Sequence, residues 1–188
     1  MAKNKTILIC LLLLLVLFPS YSVVANDGNC VRLIAYEYIG AREKGGNNQG
    51  FNDRDLQKLL VKAGWKPGYS WCSFFVKGVL DECGVPNSIT GWSPSSYNSK
   101  DVIFTNGRFY QSYRPGDVLV MSLSYNKFKN TNRYKAIGHT GIVDLIGEHS
   151  IRTIEGNTNE AGARDSRSRD GVYQKIRPLS KNIHITRW

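Results

Sequence analysis

Acidic residues are scarce in this 188-residue chain: 15 Asp and Glu stand against 25 Lys and Arg, a formal net charge of +10. That balance excludes an acidic, solvating chain and points to anionic partners. Histidine is scarcer, with only three residues, and neither His149 nor His184 has a partner at metal-ligand spacing. They read as a loop residue and a tail residue, and no metal or organic cofactor is expected. Internal repeats, low-complexity tracts and long linkers are missing, which excludes solenoids and leaves one domain as the default. Apolar runs are nearly missing too. The exception, Ile7 to Phe18, is an uninterrupted stretch of 12 residues. It is too short for an ordinary membrane span.

That run follows Lys3 and Lys5 and precedes Val23-Val24-Ala25, the pattern of a cleaved secretory leader. Residues 1–25 are therefore expected to be a signal peptide, with export to the periplasm or the cell exterior. Cys10 would leave with it. The remaining 163 residues, 26–188, are enough for one domain with a core and include no membrane span. Without Lys3 and Lys5 the charge is 23 against 15, or +8. Such a charge suits an anionic wall polymer as well as nucleic acid. The chain lacks aromatic–basic interleaving and clustered metal-site carboxylates, so a nucleic-acid partner is not expected. Nothing in the pattern reports an oligomeric state.

Three cysteines follow the leader: Cys30, Cys72 and Cys83. An odd number in an oxidising compartment leaves at least one unpaired thiol. The economical arrangement is a disulfide between Cys30 and Cys83 with Cys72 free; two separate buried thiols are the alternative.

Helical spacing places a first helix over Val31 to Arg42, capped by Asn29. A second runs from Asp53 to Ala63, with Asn52 as cap and Gly64 as stop. A third begins in "SWCSFFVKGVL", residues 70–80, with Ser70 as cap. Cys83 falls on its apolar stripe, whereas Cys72 falls in its first turn, where the helix dipole favours a thiolate. The second half of the chain is strand-rich. "VLVMSLS" (118–124), "IGHTGIVDLI" (137–146), "SIRTIEGN" (150–157) and "GVYQKIRPL" (171–179) read as strands, separated by polar loops over 125–136 and 158–170. Helices followed by an antiparallel sheet make an α+β fold.

Strand alternation puts His139, Gly141, Val143 and Leu145 on one face, expected to pack on the helices. A three-residue turn at 147–149 pairs Ile146 with Ser150. His139 then opposes Asn157, and Gly141 opposes Glu155. Imidazole, carboxylate and carboxamide thus fall on one face, and a turn one residue shorter or longer would separate them. The chemistry needs these types. A thiolate attacks a carbonyl carbon, an imidazole carries the proton to the leaving amine, and a third polar group steadies the imidazole.

"GYSWCSFFVKGVL", "RPGDVLVM", "IGHTGIV" and "TIEGN", in that order, resemble the CHAP family of cysteine- and histidine-dependent amidohydrolases and peptidases. "REKGGNNQGFNDRDLQKLLVKAGWKPG" upstream resembles the N-terminal portion of bacterial and phage members. The resemblance covers residues 41–177. It implies a papain-like fold and cleavage of amide bonds in peptidoglycan, either the lactyl–peptide amide or a bond within the stem peptide. It assigns Cys72 as nucleophile, His139 as base, Glu155 as orienter of the imidazole and Asn157 as a further polar member. It also places "GGNNQG" near the cleft, which makes Asn47 and Asn48 candidate substrate contacts. Trp71 and Trp92 read as core or cleft aromatics, core being favoured. One departure is Ser73-Phe74-Phe75, where the family often has small residues after the cysteine. An NlpC-type endopeptidase and a non-catalytic wall-binding module of the same fold are the alternatives.

Overall fold

The computed structural model describes residues 27–122, 137–161 and 170–188. The expected leader, the loop over 125–136 and most of the loop over 158–170 lie outside the described residues. Three helices, α1 (Asp27–Glu37), α2 (Arg54–Lys62) and α3 (Cys72–Glu82), precede seven strands. These are β1 (Val102–Thr105), β2 (Arg108–Phe109), β3 (Val118–Ser122), β4 (Ile137–Ile146), β5 (Ser150–Thr158), β6 (Gly171–Pro178) and β7 (Ile183–Thr186). They form one antiparallel sheet in the order β2-β1-β7-β3-β4-β5-β6. The fold is α+β, of the kind expected of a papain-like CHAP domain. Among the described residues no helix is long and apolar enough to cross a membrane.

The sheet divides the core. Val118, Val120, Ile142, Ile154 and Val172 pack with the helices, against Leu56, Leu60, Phe75, Val76 and Val79. Leu119, Val143 and Ile151 join Ile103, Phe104, Ile183 and Ile185 in a second cluster. Adjacent residues of a strand alternate between these clusters, as a pleated strand requires. The expectation that the face of Val143 would meet the helices is therefore corrected: Ile142 and Ile154 do so.

Several boundaries also differ from the sequence pattern. α1 ends at Glu37 rather than Arg42, because Gly40 turns at φ 99° and donates its N–H to the Val172 carbonyl. That turn brings Arg42 beside Gly171 in an isolated bridge. α2 is capped by Asp53, whose side chain accepts from the amides of Asp55 and Leu56. Asn52 instead accepts from the Arg42 amide at 2.7 Å. β1, β2 and β7 were not anticipated. His184 is thus no tail residue: β7 sits between β1 and β3, and its imidazole Nδ1 lies 2.7 Å from the Thr105 hydroxyl.

The β4–β5 hairpin is the element on which the site depends. Ile146 pairs with Ile151 and Leu145 with Arg152, one residue out of the expected register. The ladder then shifts between Leu145 and Val143, and beyond the shift Val143 pairs with Thr153 and Ile142 with Ile154. A bulge at Asp144 thereby cancels the longer turn. Asp144 is buried and accepts hydrogen bonds from the Tyr36 hydroxyl at 2.7 Å, from Arg152 Nε and from Gln174. Arg32 of α1 adds an ion pair at 3.5 Å. Cys30 of α1 and Cys83 after α3 form a disulfide with 5.9 Å between their Cα atoms. Cys72 is the free cysteine among the described residues.

Candidate functional site

The expected cap at Ser70 is not used. Trp71 takes the cap position with φ −121° and ψ 9° and supplies no side-chain cap hydrogen bond, because an indole N–H can only donate; the ring itself is fully buried. The indole packs edge-on against Phe51 and Phe75, with ring centroids 4.9 and 6.5 Å away, and donates to Glu43 Oε1 at 2.7 Å. The first intrahelical bond observed at this end runs from the Phe75 amide to the Trp71 carbonyl. The amides of residues 72–74 precede that bond and have no helical acceptor, so this end of α3 offers open donors beside Cys72.

β5 presses closely on this end of α3. A Cβ on Gly156 would lie 2.5 Å from the Trp71 ring and 2.9 Å from Phe75, so only glycine fits there. On the other side of β5, a Cβ on Gly141 would lie 2.6 Å from Glu155 Cγ. Both glycines are sites of close approach, and together they bring Glu155, His139 and Cys72 into one cluster.

Within it, His139 Nε2 lies 2.9 Å from Glu155 Oε2. Nδ1 is the ring nitrogen left for Cys72, and the two groups are near enough that each shifts the other's titration. The sulfur also lies 3.4 Å from the Ser93 hydroxyl, at the start of a short 3-10 helix over Ser93–Ser96. Behind Glu155, Arg177 binds both carboxylate oxygens, its Nε donating to Oε1 at 2.5 Å, and Thr153 donates to Oε1 at 2.6 Å. Cys72, His139 and Glu155 are all buried.

Burial pushes the Cys72 thiol up, but the hydrogen bond and charge of His139, with the Ser93 hydroxyl, outweigh it and bring the group down to about 7. Burial would lower the imidazole, yet its bonds to Cys72 and Glu155 raise it to about 9. Glu155, which burial alone would push up, is held at about 2 by Arg177 and His139. Between about 7 and about 9 the pair is a thiolate beside an imidazolium, backed by a carboxylate that stays ionised.

The remaining candidates are placed differently. Asn157 is half-buried at φ 56°, where the β5–β6 ladder shifts between Glu155 and Thr158. Its Oδ1 is buried without a hydrogen-bond partner. It directly follows Gly156, which lies against Trp71. Asn47 is exposed; Asn48 is buried at φ 56°, its backbone carbonyl accepting from the Gly68 amide at 2.6 Å. The glycine-rich loop is thus tied to the segment entering α3. Trp71 belongs to the core, whereas Trp92, expected inside, is 56% exposed next to Ser93.

Ser93, Thr153 and Arg177 were missed. Thr153 lay on the anticipated face of β5 and could have been found there. Arg177 depends on the β5–β6 register, which no local signal gives. Among the described residues no group of three or more His, Cys, Asp or Glu is placed to hold a metal ion.

The CHAP domain model matches residues 62–157, just over half the chain. This span includes Cys72, His139, Glu155 and Asn157. No curated protein and no solved structure matches the chain.

Proposed function

The chain belongs to the CHAP domain family, whose chemistry is hydrolysis of the peptidoglycan type, and from that premise we propose that it cleaves an amide bond of peptidoglycan with Cys72 as nucleophile. The observation that carries this reading is the buried chain of contacts from Cys72 through His139 to Glu155.

The Cys72 thiolate attacks the amide carbonyl, and the oxygen that gains charge meets the open amides at the start of α3. The imidazolium gives its Nδ1 proton to the departing nitrogen, so the amine leaves neutral and the acyl group remains on sulfur. Water then gives a proton to the imidazole and its oxygen to the acyl carbon, and the thiolate departs. Throughout, Glu155 holds Nε2 and stabilises the ring's positive charge. Trp71, tied to Glu43 and the loop over 43–51, fixes the backbone from which Cys72 projects. The bond cleaved is either the lactyl–peptide amide or one within the stem peptide.

We also read the protein as exported. The leader pattern over residues 1–25 supports this, and the Cys30–Cys83 disulfide fits an oxidising compartment. The test of function is mass spectrometry of purified peptidoglycan digested by the protein and by Cys72→Ala. New fragments that vanish in the variant support the reading, and their masses name the bond. If neither protein releases fragments from several wall types, the reading fails.

A further inference from the structure

We propose that Arg177 is a positioning residue for the Cys72–His139 pair: its guanidinium fork fixes the Glu155 carboxylate against the imidazole, and its permanent charge tempers the carboxylate's pull on the ring. The proposal rests on the reading of Cys72 as nucleophile and His139 as its proton carrier.

The register shows how unusual the reach of Arg177 is. Arg177 pairs with Ile151, whereas Glu155 pairs with Tyr173, four residues further along the sheet. Four residues of strand span roughly 13 Å, so the side chain must lie along the sheet, across the Thr153 position. It is 14% exposed there, and Glu155 is not exposed at all. Laying a long cation over a sheet to reach one carboxylate costs side-chain entropy and desolvation. Surface ion pairs do not demand this. What it gives is definition of the carboxylate plane. Nε and one terminal nitrogen of Arg177 take one oxygen each, which blocks rotation and leaves Oε2 directed at His139 Nε2. With Nε2 taken by the carboxylate, Nδ1 is the nitrogen left for the thiol.

The charge has its own effect. Around Glu155 the described groups are His139 of β4, Thr153 of β5, Arg177 of β6 and, beyond the imidazole, Cys72 of α3. The other titratable groups on this face of β6 are engaged elsewhere. Lys175 donates to the carbonyls of Asn159 and Glu160, and Tyr173 lies under the Arg42 guanidinium, 3.8 Å from its ring centroid. Deleting a permanent cation at this point raises the proton affinity of every neighbour: Glu155, His139 and Cys72. Both limbs of the pH profile then move to higher pH. Arg177→Lys keeps a positive charge but loses the fork, because one ammonium cannot take both oxygens in a fixed plane.

The two effects separate experimentally. The pH dependence of Cys72 alkylation by iodoacetamide, followed on the peptide that contains Cys72, reads the thiol without any wall substrate. In Arg177→Met its midpoint should rise by about one pH unit, the size typical of losing a nearby partly buried charge. In Arg177→Lys the midpoint should stay in place, while kcat on peptidoglycan falls about 10- to 100-fold at unchanged KM, the usual cost of losing an outer-shell partner. A folded Arg177→Met with an unmoved midpoint overturns the proposal, as does wild-type kcat in Arg177→Lys. If Arg177→Met does not fold, the Arg177→Lys kcat decides. If the wild-type protein does not hydrolyse peptidoglycan, the hydrolase reading fails, and the alkylation midpoints of Arg177→Met and Arg177→Lys still decide the role of Arg177.

Discussion

The Cys30–Cys83 disulfide closes a loop with a sequence separation of 53 residues, joining α1 to the end of α3. The chain-entropy model gives about 4 kcal/mol for a loop of this length, because the cross-link removes open conformations from the unfolded chain. For a domain of this size each kcal/mol moves Tm by about 2–4 °C. Replacing both cysteines by serine should therefore lower Tm by about 8–16 °C. The comparison is best made in a Cys72→Ala background, so that the free thiol cannot exchange with the disulfide during heating. Circular dichroism melts give Tm, and urea titrations give the slope m. The slope should increase on removal of the bond, since an uncrosslinked unfolded chain exposes more surface. A Tm change below 2 °C with an unaltered slope would refute the reasoning. It would mean that the native contacts between α1 and α3, not the covalent link, hold this edge of the fold.

Activity should rise with pH through about 7 as the Cys72 thiol ionises and fall through about 9 as His139 loses its proton. The two apparent values belong to the pair, and kcat/KM profiles measure them; a flat profile sinks the mechanism. His139, raised above its ordinary 6.5, contributes stability that is complete below that value and lost as pH rises through about 9. Glu155, lowered from 4.5 to about 2, contributes stability present above 4.5 and lost as pH falls through about 2. Glu155→Gln should both slow turnover and destabilise the fold by about 3 kcal/mol or more, because it strands the mostly buried Arg177 charge. Unchanged urea midpoints would contradict that. Gly141→Ala should cost about 1–3 kcal/mol and displace Glu155, since the added carbon meets Glu155 Cγ and the Ile154 carbonyl. Wild-type melting together with wild-type turnover would show that the hairpin yields there freely.

The helical half was legible because its apolar spacing and terminators are local signals. Leu56, Leu59 and Leu60 of α2 line up on one face, and all three are buried. Cap positions were less legible: Ser70 has the right chemistry, yet the burial of Trp71 one residue later decides where α3 begins. The strands β1, β2 and β7 escaped notice because they are short, with only four, two and four residues. The β7 sequence "IHIT" has a polar residue at every second position, which reads as a surface tail until pairing with β1 and β3 buries all four. The nucleophile, imidazole and carboxylate were legible because each lies in a distinctive short pattern. Their supporting residues were not, since Ser93 and Arg177 reach the site only through tertiary pairing.

The hairpin register carries a further lesson about how such a site is held. The turn after β4 is one residue longer than the pattern implied, and that alone would have sent His139 and Glu155 to opposite faces. The extra residue in β4, Asp144, restores the alignment, so the turn and the bulge are a matched pair. Asp144 is a costly residue to bury unless it is paired, and its partners come from α1, β5 and β6: Tyr36, Arg32, Arg152 and Gln174. These partners make the bulged register the favoured one. Sliding β4 by one residue would put Leu145 or Val143 among these polar groups and leave a buried carboxylate unpaired. Asp144→Ala removes that bias without touching the cluster of Cys72, His139 and Glu155. It should lower turnover by letting the strands sample the register in which imidazole and carboxylate separate. Amide hydrogen exchange at residues 139–143 checks this: faster exchange with reduced activity supports register control. Reduced activity with unchanged protection would assign Asp144 some other role, and the bulge would then be held by the strands themselves.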